Sequence, residues 1–153
     1  MKIRRAKPED AKEISNLRIN TIKSFPQDNS KEEMEYVINR NTPKSIIEKI
    51  KTREIFNMFE KGKIIGNIGL HETRLTNFYV DKNRLKQGIG KKLLEFIEDY
   101  AKKKGIIKLH LRSTPSAISF YKKFGYKITK IEKKMQNGIK MTHTIMEKKL
   151  WTS

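Results

Sequence analysis

The stretch RLKQGIGKKLLEFIEDYAKKKG, residues 84–105, joins a pair of glycines to the most regular apolar stripe in the chain. Ile89, Leu93, Phe96, Ile97, Tyr100 and Ala101 follow one another at spacings of four, three and one, which is the buried face of an amphipathic helix. Gly105 is placed to cap its C-terminus. Gly88 and Gly90 stand at the other end, in or beside the first turn, where glycine weakens a helix by up to about 1 kcal/mol relative to alanine. What glycine offers there is close approach. With no Cβ in the way, first-turn N–H groups and the positive end of the helix dipole can face an anion, and Lys86, Lys91 and Lys92 add charge nearby. A tight strand-to-helix turn would use the same glycines. Two phosphate motifs fail on spacing. A dinucleotide fingerprint needs glycine where the chain has Leu93; a Walker loop needs glycine and Ser or Thr where it has Leu85 and Lys92.

Working outward, LTNFYV over 75–80 reads as a strand running into the glycines. Before it, EIFNMFEKGKIIGNIGLHE is a pair of β-rich runs turning at Lys61-Gly62-Lys63, so an antiparallel meander is expected. The N-terminal part reads as a short strand, KIRRAK, and a helix entered at Pro8 with the stripe Ile14, Leu17, Thr21 and Phe25. A second helix opens on the capping-box pattern Ser30 to Glu33, and a third follows Pro43. Downstream come a strand in IIKLHLRST, a short helix in SAISFYKKFGY, and strands about 127–135 and 139–149 turning at Asn137-Gly138.

At 153 residues the chain has the length of one ordinary domain, expected to run over residues 1–153. The absence of cysteine excludes thiolate catalysis and suits a reducing cytoplasm, the expected location. His71, His110 and His143 show no ligand spacing, so no metal is expected, and no run is long enough to span a membrane. The net charge of +18 attracts anions, but the lysines are dispersed among isoleucines and glutamates, favouring a solvated lysine-rich surface over a nucleic-acid face.

The glycine loop, preceded by FYV and followed by AISFYKKFGY, resembles the acetyl-CoA-binding core of the GCN5-related N-acetyltransferases, the GNAT family. That family carries a loop of the form [QR]xxGxG[AG] after its fourth strand and AxxFYxxxGF on a later helix. Here the loop maps to Leu85, Gly88 and Gly90, and the helix to Ala117, Phe120, Tyr121, Gly125 and Tyr126. Leu85 stands where the family has Gln or Arg, and Thr114 where an Asn often precedes the helix. The resemblance implies an α+β, three-layer fold with a mixed, mostly antiparallel sheet of about six or seven strands and helices on both faces. It also implies acetyl-CoA as cosubstrate and a primary amine as acceptor: a protein N-terminus or lysine, a polyamine, an amino acid or an aminoglycoside.

Acetyl transfer from a thioester needs a neutral amine, a polarised carbonyl and a proton for the departing thiolate. By resemblance the carbonyl is polarised by a backbone N–H of Tyr79 or Val80, with Phe78 beside the same arm of the cofactor. The pyrophosphate falls to the loop, Leu85, Lys86, Gln87, Gly88, Ile89, Gly90 and Lys91, with Thr114 nearby. Tyr121 is the expected proton donor, since a phenol stays protonated at neutral pH. Glu72 is the expected base; Glu32, Glu33 and Glu35 could attract a cationic amine, but a solvated helix face is the favoured reading of the three. The alternative is a non-catalytic basic module contacting nucleic acid or a protein partner. The C-terminal strand pair could also support a homodimer.

Overall fold

The computed structural model describes residues 1–151 and contains a seven-stranded sheet in the order β1-β2-β3-β4-β5-β7-β6. The strands are β1 (Lys2–Arg5), β2 (Glu54–Glu60), β3 (Lys63–His71), β4 (Arg74–Val80), β5 (Lys108–Ser113), β6 (Lys127–Gln136) and β7 (Ile139–Lys149). The helices are α1 (Ala11–Lys23), α2 (Lys31–Asn39), α3 (Pro43–Thr52), α4 (Ile89–Lys103) and α5 (Ile118–Lys123). All strand pairs are antiparallel except β4 with β5. The sheet is mixed and mostly antiparallel, as expected. No helix among the described residues is long and apolar enough to cross a membrane.

Local chemistry accounts for the turns. Lys61 and Gly62, like Asn137 and Gly138, adopt positive φ, the geometry whose twist matches two paired strands. Ser30 and Glu33 close a reciprocal capping box at the start of α2. Thr42 caps α3 by accepting from the Ser45 N–H at 3.2 Å.

The two faces of the sheet bury different helices. Leu93, Leu94, Ile97 and Ala101 of α4 pack with Ile68, Leu70, Leu109, Leu111 and Met146, and Tyr121 and Tyr126 belong to the same core. Ile14 and Leu17 of α1 pack with Ile46 of α3 and Ile55 on the opposite face. Gly66 lets α4 lie close on β3, because a Cβ there would come 2.5 Å from Leu93 Cδ1.

Candidate active site

The parallel pair β4 and β5 holds together only at its start. Arg74 registers with His110, the His110 N–H donates to Thr73 C=O at 3.1 Å, and beyond that point the strands part. A bulge sits in the parting stretch: Asn67 registers with Tyr79 and Gly69 with Thr76, leaving Asn77 and Phe78 opposite Ile68, with Asn77 at φ +47°. The extra residue resets the alternation of side chains. Leu75, Phe78 and Val80 therefore all face the α4 and α5 core, while Tyr79 turns to the α1 and α3 side.

The same geometry separates the two candidate backbone donors. Asp81 N–H donates to Ile65 C=O at 2.9 Å, so Asp81 and Tyr79 point their backbone groups at β3. Val80 points the other way, into the gap, and its C=O accepts from the Thr21 hydroxyl at 3.2 Å. Of the pair left open by the sequence, Val80 offers its N–H to the parted strands.

At the upper end of the gap, Gly88 is the N-cap of α4 at φ 80°, ψ 5°. The first bond into the helix is Lys92 N–H to Gly88 C=O at 3.1 Å, so the N–H groups of Ile89, Gly90 and Lys91 precede the ladder and face outward. A Cβ at Gly88 would meet nothing within 4 Å, whereas one at Gly90 would come 3.2 Å from the Phe120 ring. The two glycines thus do different work: Gly88 supplies the left-handed turn in front of open space, and Gly90 admits an aromatic ring. Lys86 and Lys91 are exposed, and Leu85 is 42% exposed, an apolar residue at the loop's outer rim. Arg84 is occupied: both its terminal nitrogens donate to the Glu60 carboxylate, at 2.7 and 2.9 Å, and Nε donates to Gln87 Oε1 at 2.7 Å. It ties the loop to the end of β2, and Gln87 is held with it.

Tyr121 lies at the gap's inner wall, buried, with its ring 6.2 Å from Phe78, 5.5 Å from Phe120 and 5.7 Å from Tyr126. Burial, reinforced by Tyr79, pushes its phenol well above the ordinary value, so it is protonated throughout the physiological range. Its hydroxyl has no protein hydrogen-bond partner among the described residues. Tyr126 provides the contrast, donating to Glu98 Oε2 at 2.8 Å beside Lys148. Thr114 is exposed at the turn before α5. Over that turn Asp28 accepts from the Ser116 N–H at 2.9 Å, clasping the α1 to α2 connection to the start of α5.

Glu72 is not brought here. It sits exposed at φ +57° in the turn between His71 and Arg74, at the end of β4 remote from Val80. Glu33 is consumed in capping α2, and Glu32 and Glu35 point to solvent. What the α1 and α3 side carries instead is Arg18, buried at 0% exposure and donating to Asn67 Oδ1 at 2.8 Å and Asn41 Oδ1 at 3.1 Å. The one sequence signal for it was a charge on the apolar stripe, directly after Leu17. On β7, burial and then Arg112 lower the pKa of His143.

Lys49, on α3 near Arg18, shows the electrostatic strain of this side. Burial, then Arg40, Arg53 and Arg18, push its ammonium down to about 8. Below that pH the fold bears the full repulsion; between about 8 and the unfolded value of about 10.4 the folded state releases the proton first, so stability rises with pH. Lys49→Met should therefore raise the melting temperature at pH 7 by roughly 2–4 °C, about 1 kcal/mol after solvent screening, and flatten this pH dependence. The Arg40 carbonyl it leaves keeps the Ser45 hydroxyl at 2.8 Å. Thermal unfolding at pH 7 and pH 9.5 checks both effects.

Comparison with known proteins supplies the family. The chain shares its fold with a GCN5-related N-acetyltransferase from Rhodopseudomonas palustris, at TM-score 0.88 and 20% identity over 97% of this chain and 94% of that one. It likewise resembles the PaiA N-acetyltransferase of Thermoplasma acidophilum in complex with coenzyme A, at TM-score 0.81 and 24% identity over 97% and 98%. The uncharacterized protein YyaT of Bacillus subtilis is 31% identical over 90 residues, a match spanning 59% of this chain and 56% of that protein, little more than half its length. A family model described as acetyltransferase (GNAT) domain matches residues 25–150, and the chain belongs to that acetyl-CoA-using family.

Proposed function

We propose that the protein transfers the acetyl group of acetyl-CoA directly to a primary amine. The observation that carries this reading is the Tyr121 hydroxyl, protonated and without a protein partner, at the wall of a gap whose other end is the Gly88 turn. A core tyrosine in an inert fold would be expected to resemble Tyr126, with its hydroxyl hydrogen-bonded.

The N–H groups of Ile89, Gly90 and Lys91, with Lys86 and Lys91 alongside, fit the pyrophosphate of the cosubstrate. Leu85 has no donor to offer, so the backbone carries this contact. The Val80 N–H polarises the acetyl carbonyl and stabilises the charge that develops on its oxygen. As the amine nitrogen bonds to the carbonyl carbon and the carbon–sulfur bond breaks, Tyr121 gives its proton to the departing thiolate. The proton lost by the amine restores the phenol through solvent, so the step balances without a nucleophilic side chain.

Coenzyme A at about a hundred times its Kd should stabilise the fold by about 2.7 kcal/mol, and acetyl-CoA with an acceptor amine should release free thiol. An unchanged melting temperature at millimolar coenzyme A, together with steeply salt-dependent binding to nucleic acid, would favour the basic binding module instead.

A further inference from the structure

The face of the gap opposite α4 and α5 is lined by cations. Arg74 on β4 and Arg112 on β5 lie on that face, because their neighbours Leu75, Leu109 and Leu111 turn into the other core. Arg53 closes α3 and donates from Nη1 to Asn77 Oδ1, at the bulge, over 3.3 Å. The Lys49 Nζ donates to the Arg40 carbonyl at 2.7 Å, and the Arg18 guanidinium lies 5.7 Å from the Tyr79 ring. Among the described residues none of these side chains forms a salt bridge.

Arg18 is the sharpest case. It is fully buried, its partners are neutral asparagines, and its Nη2 has no hydrogen-bond partner. A buried guanidinium facing only amides does not stabilise a fold; an apolar side chain of similar volume would do better. Burial depresses its pKa to about 10, with Arg53 contributing, and Arg53 and Arg74 are depressed for the same leading reason, each also feeling Arg40. Partly desolvated cations without salt-bridge partners, converging beside the gap, are an anion-binding field, opposed among the described residues only by Glu72 near Arg74 and Glu132 near Arg112.

Resting on the acetyl-transfer reading above, we propose that the acceptor is a primary amine that also bears an anionic group, carboxylate or phosphate, received by Arg53 and the arginines of the sheet face. Its amino group is then left beside Tyr79 and Val80. Polyamines and aminoglycosides, which carry several positive charges, meet repulsion on this face.

The test pairs each anionic amine with a neutralised counterpart: L-amino acids with their methyl esters, and O-phosphoethanolamine with ethanolamine. Spermidine and kanamycin serve as polycations, and thiol release and thermal shift in the presence of coenzyme A are both read. The expected result is at least a roughly tenfold higher kcat/KM, and a larger shift, for the anionic member of one pair, which also tells carboxylate from phosphate. Arg53→Gln should bring that ratio close to one with the KM for acetyl-CoA unchanged, and Arg53→Lys should restore part of it. Spermidine or kanamycin used as well as the best anionic amine, or a ratio unmoved by Arg53→Gln, overturns the proposal. Failure of the acetyl-transfer reading itself looks different, since coenzyme A alone would then give no shift.

Discussion

Replacing Tyr121 with phenylalanine is expected to lower kcat about 100-fold while leaving the KM for acetyl-CoA and the melting temperature nearly unchanged. The substitution removes one oxygen and keeps the ring that packs on Phe78, Phe120 and Tyr126. Since the hydroxyl has no protein partner among the described residues, no buried group is orphaned by its loss. The lost proton donation therefore appears in kcat alone. Tyr126→Phe is the matched control. It breaks the hydrogen bond to Glu98, worth about 1 kcal/mol, yet leaves that carboxylate on Lys148 at 2.9 Å, so stability falls slightly and kcat is retained. Steady-state kinetics and thermal unfolding of both variants decide the matter. If Tyr121→Phe turned over as fast as the parent protein at every pH, or if both variants lost only stability, the phenol would be a packing residue and nothing more.

The elements themselves could be read from the chain because their signals are local. The helix of residues 89–103 announces itself through its apolar period, and Asn137-Gly138 and Lys61-Gly62 mark hairpins through their tolerance of positive φ. The bulge at Asn77 could not be read, because nothing in LTNFYV says which residue leaves the ladder; the strict alternation of an unbulged strand would have put Leu75 and Tyr79 on one face. Glu72 looked adjacent to the site in sequence, but one tight turn sends the chain back along β3, and adjacency at one end of a strand is distance from the other. The cations of the α1 and α3 side were illegible for a related reason. Glu32, Glu33 and Glu35 are clustered in sequence, whereas Arg18, Arg53 and Arg74 come from separate elements and meet only in the fold. The Asp28 to Ser116 clasp, spanning 88 positions, is of the same kind.

The glycine pair, the clearest sequence signal, is divided by the structure into two roles, and the division can be measured. At Gly88 an alanine meets no neighbour but must adopt φ +80°, costing about 1–2 kcal/mol in a turn that sets the direction of the first-turn amides. Gly88→Ala should therefore raise the KM for acetyl-CoA about tenfold while kcat holds, because Tyr121 lies elsewhere. At Gly90 two effects compete. Alanine is the better helix former by about 1 kcal/mol, but its Cβ would lie 3.2 Å from the Phe120 ring and 3.7 Å from Phe78, an overpacking that costs about 1–3 kcal/mol. Phe120 is also edge-on to Tyr121 at 5.5 Å and to Phe78 at 5.8 Å, so its displacement is passed to the Tyr121 ring, the proposed proton donor. Gly90→Ala should accordingly lower kcat about tenfold as well as raise the KM, with a reduced melting temperature, since a 1 Å misplacement of a reacting group can cost as much as 100-fold. If Gly90→Ala instead stabilised the protein and kept its kcat, the ring would have yielded to the methyl group, and the cradle and the proton donor would be independent parts of the site.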